Sequence, residues 1–339
     1  MGITKYIVKV PSKPDKVLDL ADVKTGLASG AHTITVESYD GTTLLETKTR
    51  NITIAEAGGT YLLDLYPGAA YAYDFFKLSS TYTGACIKVR RASDNVETDV
   101  GFVNDKLDES GLTDFAGASD CFRVTRYDQT GNGRHFTQTS ASNQPKIVSA
   151  GVIIKEGTHI IEQFDGVNDF AVIPALGTTS NYHQLFINMK IRNANTEVIV
   201  VEQGDNYSNY SGAFLLYRSA GSPKQLTMAN VSGANYKTGK LDNQEVTAFK
   251  LFNIGIDRVS TVTNNGRVNG VAIPITNITN TANMQGVPIP SQPYYVGARS
   301  GGTVAPSQLN LATMVMYPTD QSANLAGIEN KINSNYNLY

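Results

Sequence analysis

The sequence of 339 residues contains no tryptophan, two cysteines, four histidines and few charged residues. Cys86 and Cys121 stand alone and the histidines have no metal-ligand spacing, which excludes a zinc site. The two cysteines either remain free thiols or form one disulfide, and we favour two buried thiols. Charged residues make up 17% of the chain, against roughly 25% in an average globular protein. This scarcity argues against helical bundles and coiled coils.

The chain also lacks a strong net charge and a long apolar run. It has 28 basic and 30 acidic residues and a net charge of −2, so nucleic acid is not an expected partner. No apolar run approaches the roughly 18 to 20 residues of a membrane span. Lys5 and Lys9 interrupt the apolar start, which is therefore not expected to be a secretory signal. We expect a protein made in a cytoplasm.

Glycine, threonine, serine, asparagine and tyrosine replace the missing charge, and this blend favours β-rich folds with many turns. Residues 31–39 alternate, with Ile34 and Val36 on one face, which predicts a half-buried strand. Asp40-Gly41 then predicts a tight hairpin into a second strand over residues 43–54.

The first 58 residues are predicted to form a small β domain preceded by an arm. Pro11 and Pro14 interrupt any helix or central strand, so residues 1–20 are predicted to be extended. Residues 57–59 are expected to be the hinge into a second, larger domain.

From residue 60 to residue 339, short β-prone runs alternate with turn residues at the spacing of a sandwich. A helix is predicted over residues 108–116, with Asp108 as its N-cap and a stop at Gly117. A second helix is predicted over residues 320–337. Its apolar side chains recur three or four residues apart and form one stripe: Leu325, Ile328, Ile332 and Tyr336.

Residues 79–92 contain a Tyr-Thr-Gly stretch, and residues 127–133 read Tyr-Asp-Gln-Thr-Gly-Asn-Gly. Both segments resemble the catalytic domain of the fungal-type α-L-arabinofuranosidase B family. Residues 164–170, Phe-Asp-Gly-Val-Asn-Asp-Phe, resemble a strand of concanavalin A-like lectin/glucanase (laminin-G-like) domains, and residues 332–339 resemble their terminal helix. The resemblance implies an all-β fold over residues 60–339, a two-sheet jelly-roll sandwich with a short C-terminal helix.

Domains of this type are widespread in bacteriophage structural proteins, where they follow a short β anchor such as residues 1–58. The resemblance therefore implies a virion protein, assembled in the host cytoplasm, that decorates a capsid or belongs to a head fibre or tail. Its expected partners are other virion proteins, bound through residues 1–58, further copies of itself, and cell-surface or environmental glycans.

The catalytic carboxylates of the resembling family have no counterpart at the matching positions. The family's nucleophile is a Glu in a Gly-Asn-X-Glu-Thr stretch, and Tyr207 stands at that position here. The family's acid is an Asp ahead of the final strand, and the matching region, residues 297–301, carries Arg299 and no carboxylate. Because glycoside hydrolysis normally needs two carboxylates, we expect that the chain is not an enzyme.

Glu202 and Asp205 remain as a replacement pair, which leaves a divergent glycoside hydrolase as the alternative function. The same region is also the predicted glycan contact, because aromatic rings pack on sugar faces and the chain has 18 tyrosines. The alternative is that the tyrosines cover subunit interfaces or sheet edges. The candidate glycan-binding residues are Tyr207, Tyr210, Asp205, Glu202 and Arg299.

Residues 127–133 are also explained as a structural turn. Asp128 and Asn132 are expected to accept hydrogen bonds from the backbone of their own turn, and Gly131 and Gly133 to take positive φ. We favour this turn over a loop that contacts sugar or metal. The loop motif consists of Tyr127, which would pack under the loop, Asp128, Gln129, Gly131, Asn132 and Gly133.

One further cluster, Asp165, Asn168 and Asp169, has the oxygen ligands that Ca²⁺ prefers. A hairpin turn closed by Asp and Gly explains the same residues and is favoured. No cofactor is expected apart from this weak candidate for Ca²⁺.

Overall fold

The computed structural model describes residues 5–9, 16–17, 30–40, 42–54, 61–192, 197–206, 209–218, 225–232, 235–245, 248–259, 263–280, 287–299 and 304–339. The chain divides into two compact units, Met1–Thr60 and Tyr61–Tyr339.

The N-terminal unit contains one antiparallel sheet in the order β2-β1-β3-β4. Its strands are β1 (Lys5–Lys9), β2 (Lys16–Val17), β3 (Gly30–Asp40) and β4 (Thr43–Ile54). The strand predicted from alternation and the strand predicted to return from the hairpin are confirmed as β3 and β4, which pair from Gly30 opposite Ile54 to Asp40 opposite Thr43. The predicted turn residue Gly41 lies outside the described residues.

The arm expected over residues 1–20 contains two paired strands, so it is not an unpaired extended segment. Lys5–Lys9 pairs along β3, and Lys16–Val17 pairs back onto β1. This pairing satisfies backbone groups on the edge of β3 that an unpaired arm would leave open. Pro11 and Pro14 lie outside the described residues.

The large unit begins with the short helix α1 (Leu62–Leu65). The strands of its first half are β5 (Tyr71–Tyr73), β6 (Ile87–Arg91), β7 (Glu97–Val100), β8 (Phe102–Val103), β9 (Lys106–Leu107), β10 (Cys121–Arg126), β11 (Phe136–Thr137), β12 (Lys146–Ser149), β13 (Val152–Ile153), β14 (Lys155–Glu156), β15 (His159–Ile160), β16 (Glu162–Gln163) and β17 (Ala171–Ile173). Helix α2 (Glu109–Ala116) lies between β9 and β10, and a 3₁₀ turn covers Ala141–Asn143.

The second half adds longer strands and ends in helix α3 (Leu325–Tyr336). These strands are β18 (Tyr182–Ile191), β19 (Val198–Gln203), β20 (Ala213–Arg218), β21 (Gln225–Ser232), β22 (Asn235–Glu245), β23 (Lys250–Asp257), β24 (Thr263–Val268), β25 (Val271–Ala272), β26 (Ile275–Asn280), β27 (Tyr294–Val296) and β28 (Leu309–Tyr317).

The strands of the large unit form two facing antiparallel sheets linked at their edges. The front sheet has the order β17-β27-β19-β20-β21-β22-β26, and the back sheet has the order β24-β23-β18-β28, with β5 and β16 on the free side of β28. The main core lies between them, because Leu185, Ile187 and Met189 of β18 face the front sheet. Phe186, between them in sequence, faces the opposite side. The predicted all-β sandwich with a C-terminal helix is confirmed.

A third layer covers the outer side of the back sheet. It contains α3, α2 and the strands β12, β10, β6 and β7, which share a second apolar core. Among the described residues, the outer face of the front sheet carries a small buried apolar group, Ile199, Leu215 and Ala229, with Tyr217 and Ala305 packed against it.

Both predicted helices exist, and one has a different start. Asp108 caps α2 by accepting a hydrogen bond from the Gly111 amide, and Gly117 ends the helix, as predicted. Helix α3 begins at Leu325 instead of Asp320, whose carboxylate accepts a hydrogen bond from the Ser322 amide in a preceding turn. Because that side chain closes a turn of its own, the helix starts one turn later.

Cys86 and Cys121 are buried free thiols, so the favoured interpretation of the two cysteines is confirmed. Across the described ranges, every helix is too short or too polar to cross a bilayer.

Candidate functional site

A β-bulge in β19 decides which face of the front sheet Glu202 takes. Val200 and Val201 both lie in the core between the sheets, although strict alternation would turn one of them outward. The register against β20 shifts between Ile199 and Val201. The extra residue turns Glu202 to the outer face, and bulges re-aim side chains in this way beside functional sites.

On that face, Glu202 lies in a row of outward side chains that crosses the front sheet. It is opposite Leu215 of β20 and opposite Tyr295 of β27. The same row continues to Val172 of β17 on one side and to Ala229 of β21 on the other. The carboxylate therefore sits among apolar and aromatic neighbours rather than on a charged surface.

The carboxylate of Glu202 is fully buried and forms an ion pair with Arg299. The distance from Arg299 Nε to Glu202 Oε1 is 3.2 Å, and the Arg299 side chain is 31% exposed. Arg299 follows β27, and its amide donates a hydrogen bond to the carbonyl of Val304. Arg299, which stands where the resembling family has its acid, thus neutralises the one carboxylate that the bulge turns outward.

The loop after β19 places two more predicted residues together. The Tyr210 hydroxyl donates a hydrogen bond of 2.7 Å to Asp205 Oδ1, and this bond to the carboxylate raises the pKa of Tyr210. Gly204 has φ of +84°, and a Cβ atom there would lie 2.3 Å from the Tyr210 ring. The ring therefore packs directly on the Gly204 backbone, which only glycine permits.

The structure places four of the five predicted glycan-contact residues in two contacting pairs. Glu202 pairs with Arg299, and Asp205 pairs with Tyr210 on the loop that follows the same strand. Tyr207 lies outside the described residues. Tyr295, which lies opposite Glu202, was not predicted as part of this site. Tyr294 and Tyr295 are neighbours in one strand and point to opposite faces of the sheet, and the sequence does not show which of the two points outward.

Three further tyrosines lie in the interior. Tyr71, Tyr73 and Tyr294 are fully buried, with ring centroids of Tyr71 and Tyr73 5.4 Å apart and of Tyr71 and Tyr294 5.8 Å apart. These three rings fill the core between the sheets, so they belong neither to a sugar platform nor to a subunit interface.

The loop at residues 127–133 ties the chain to β5 and the segment around it. Asp128 accepts hydrogen bonds from Thr130 and Arg134 of its own turn, and also from the Ala72 amide of β5. Gln129 accepts from the Leu78 amide and donates to the carbonyls of Asp74 and Phe76.

Asn132 differs from the prediction, because its amide donates to the carbonyls of Ala69 and Ala70 and accepts nothing from its own turn. Gly131 and Gly133 have φ of +83° and +71°, as expected. The Tyr127 hydroxyl donates to Asp99, and its ring meets His135 edge to face. These bonds engage the polar groups of the motif within the protein, which favours its interpretation as a structural turn.

The Asp165 cluster is likewise organised by backbone bonds. Asp165 Oδ1 accepts from the amides of Val167, Asn168 and Asp169, and Asp169 Oδ2 accepts from the Asp165 amide. Burial, with the nearby charge of Asp165, raises the pKa of Asp169 to about 7. Within the part of the chain that the structure describes, no group of three or more His, Cys, Asp and Glu side chains is placed to hold a metal ion.

A buried charge network between β10 and β16 was not foreseen. Glu162 is fully buried, accepts a hydrogen bond of 2.5 Å from Arg123 Nε, and lies 3.6 Å from Arg126 Nη1. Arg123 and Arg126 also stack on Phe136 and Phe75. The residues stand far apart in sequence on β10 and β16, so no local pattern links them.

Comparison with known proteins relates the large unit to an enzyme family. A sequence model of that family, described as the catalytic domain of α-L-arabinofuranosidase B, matches residues 67–211. An α-L-arabinofuranosidase soaked with a cyclic sulfate inhibitor superposes with a TM-score of 0.53 at 13% identity, covering 80% of this chain and 64% of its own. An arabinofuranosidase complexed with arabinofuranosyl-α-1,2-xylobiose has a TM-score of 0.50 at 15% identity, with the same coverage.

This chain therefore spans 64% of the length of both structures, and at such identities the likeness shows the fold alone. A search of curated protein sequences finds no significant match.

The expectation that the chain is not an enzyme is corrected by the family model, which matches residues 67–211 and describes an arabinofuranosidase catalytic domain. That expectation rested on Tyr207 and Arg299 at two matched positions, and a change at those positions does not remove Glu202 or Asp205 from the same surface. Neither the match nor the geometry shows the family's own two carboxylates intact. The large unit is an all-β sandwich related to the catalytic domain of α-L-arabinofuranosidase B.

Proposed function

We propose that the chain is a divergent glycoside hydrolase of the arabinofuranosidase type, with its sugar site on the outer face of the front sheet. The observation that carries the proposal is Glu202, a fully buried carboxylate that a bulge turns outward and Arg299 neutralises. Glu202, Asp205 and Tyr210 all fall within the segment that matches the family model, residues 67–211.

The chemistry assigns different roles to the two carboxylates. Glycoside hydrolysis uses one ionised carboxylate as nucleophile or base and one carboxylic acid as proton donor. The positive charge of Arg299 stabilises ionised Glu202, so Glu202 takes the first role. Asp205 is exposed at the end of the same strand and takes the second.

Aromatic rings beside this pair supply the apolar contacts that sugars need. Tyr295 lies opposite Glu202 on the neighbouring strand, and Tyr210 is held by its bond to Asp205. Both rings are half-buried, so each keeps a face or an edge within reach of a ligand. Tyrosine suits such a wet, partly apolar contact.

The test is release of nitrophenol from 4-nitrophenyl α-L-arabinofuranoside, with release of sugar from arabinan as a second substrate. Glu202→Gln should reduce the rate by at least about 100-fold, the scale on which a catalytic acid or base acts. Glu97→Gln is the matched control, because Glu97 is an exposed carboxylate on β7, a strand of the third layer. Wild-type chain that releases no sugar from either substrate, or Glu202→Gln with full activity, would contradict the proposal.

Tyr207→Phe separates two forms of the mechanism. Tyr207 stands at the family's nucleophile position in the sequence, and tyrosine is the nucleophile in sialidases. Loss of activity in Tyr207→Phe as large as that in Glu202→Gln would make Tyr207 the nucleophile and Glu202 its base. Full activity in Tyr207→Phe would leave the nucleophile role to Glu202.

Attachment to a virion through residues 1–58 stays a prediction. The compactness of Met1–Thr60 as a unit of its own favours a separate role for this segment. A chain lacking residues 1–58 should keep hydrolytic activity and lose incorporation into particles. The glycan partners and the homo-oligomer stay predictions as well.

A further inference from the structure

A concave surface lies in the third layer, on the other side of the back sheet from the front sheet and Glu202. It is a solvent-open cavity of about 520 Å³ between the loop over residues 77–85 and the hairpin of β8 and β9. Its volume falls within the roughly 300 to 1,000 Å³ of small-molecule sites. The lining residues are Lys77, Tyr82, Thr83, Gly84, Ala85, Gly101, Phe102, Asn104 and Asp105.

One wall of the cavity is aromatic and held in place. The rings of Tyr82 and Phe102 meet edge to face, with centroids 6.3 Å apart. The Tyr82 hydroxyl donates a hydrogen bond of 2.7 Å to the Ala85 carbonyl. A Cβ atom on Gly84 would lie 2.5 Å from the Tyr82 hydroxyl oxygen, so the loop closes tightly over this side chain. The wall is therefore preorganised before any ligand arrives.

The rim of the cavity is polar and carries one positively charged and one negatively charged side chain, Lys77 and Asp105. Asn104 and Asp105 have φ of 50° and 63° at the tip of the hairpin, and both are exposed. The Asp105 carboxylate accepts a hydrogen bond of 2.9 Å from the Tyr61 hydroxyl. The Lys77 ammonium lies 5.6 Å from the centre of the Tyr61 ring, on the same rim.

We propose that this cavity binds a neutral saccharide. The aromatic wall offers ring faces and edges to the apolar side of a sugar, and the hairpin tip offers an amide and a carboxylate for its hydroxyls. One ammonium beside one carboxylate gives no net charge, which disfavours a phosphorylated or strongly anionic ligand. The polar rim disfavours a purely apolar ligand, since its groups would lose water without gaining a hydrogen bond.

This site is independent of the hydrolase proposal, because it shares no residue with the surface around Glu202. It would hold a sugar without cleaving it, since its lining contains a single carboxylate, that of Asp105, and hydrolysis needs two. A polysaccharide could then be held at a distance from the place where it is cut.

Three substitutions remove the features of the site without straining the backbone. Asp105→Asn removes the charge and keeps an acceptor for Tyr61, and asparagine tolerates positive φ. Asn104→Gly removes the amide at a position that glycine accepts. Gly101→Leu adds volume, because a Cβ atom on Gly101 would meet no atom within 4 Å. The matched control is Asp114→Asn, an exposed carboxylate on α2.

The experiment is an array of neutral oligosaccharides probed with the full chain, followed by isothermal titration calorimetry on the best-bound member. The wild type and Asp114→Asn should bind it equally, and each of the three cavity variants should bind at least tenfold more weakly. All four variants should keep the wild-type melting temperature within a few degrees and the wild-type rate on 4-nitrophenyl α-L-arabinofuranoside.

Two results would overturn the proposal. One is wild-type chain that binds no neutral saccharide on the array. The other is binding that survives unchanged in all three cavity variants. Because binding and hydrolysis are measured separately, absence of hydrolysis in the wild type would sink the hydrolase proposal and leave this one standing.

Discussion

Breaking the ion pair between Glu202 and Arg299 should destabilise the protein unequally, depending on which partner is removed. Glu202 is fully buried and Arg299 is 31% exposed. Arg299→Gln leaves a buried carboxylate without its guanidinium, which costs about 3 kcal/mol in the free energy of unfolding. Glu202→Gln removes the buried charge itself and leaves an arginine that already reaches water, so the lost ion pair costs about 1 kcal/mol.

The assay is urea denaturation followed by far-ultraviolet circular dichroism, since the chain has no tryptophan to report by fluorescence. Unfolding of the large unit gives the free energy for each single variant and for the double variant. The double variant should be more stable than Arg299→Gln alone, because removing the carboxylate as well removes the uncompensated buried charge.

The control is the exposed pair of Lys155 and Glu109, whose charged atoms are 2.6 Å apart on side chains that are 34% and 46% exposed. Lys155→Gln should change the free energy of unfolding by less than about 1 kcal/mol, as for most surface pairs. If Glu202→Gln destabilises the protein as much as Arg299→Gln, or if neither differs from Lys155→Gln, burial does not govern this pair and the reasoning fails.

Two further predictions concern the loops beside the site. Burial raises the folded-state pKa of Asp169 to about 7, from an unfolded value of about 3.9. The contribution of Asp169 to the free energy of unfolding is therefore fully present below pH 3.9 and is lost as the pH rises through 7. Asp169→Asn should therefore match the wild type near pH 4 and exceed it in stability at pH 8, and equal pH dependence in urea titrations would contradict this. Gly204→Ala should lower the free energy of unfolding by more than about 1 kcal/mol, because its φ is +84° and its Cβ would overlap the Tyr210 ring. Gly101→Ala, with open space at its Cβ, should change it little, and similar losses in the two variants would refute the argument.

Local chemistry was enough to predict several elements. The alternation of Ile34 and Val36 predicts a strand wherever the chain lies, because period two follows from the pleat itself. Asp108 and Gly117 bound helix α2 for an equally local reason, since a cap acts within one turn of its helix. The predicted apolar stripe of α3 is confirmed, because Ile328, Ile332 and Tyr336 are buried.

Other features depend on contacts between distant segments. Asn132 and its own turn are adjacent in sequence, yet its amide donates to Ala69 and Ala70, more than sixty residues away. The ion pair of Glu162 with Arg123 joins strand β16, beside β28, to strand β10 of the third layer. A sequence shows that such side chains can form hydrogen bonds, but it does not show which distant partner the fold brings to them.

The candidate site shows most clearly which features follow from local sequence and which follow from contacts between distant segments. The residue types alone determined that the chain would be an all-β sandwich, because alternation and turn residues act over a few neighbours. The resemblance to the arabinofuranosidase family, and not the residue types, then singled out Glu202 and Asp205 as a replacement pair. Only the tertiary structure decided that Glu202 faces outward, since one bulge in β19 reverses the face of every residue after it. It also decided that Arg299, nearly one hundred positions later, is the partner that neutralises it, because pairing of β19 with β27 brings the two together.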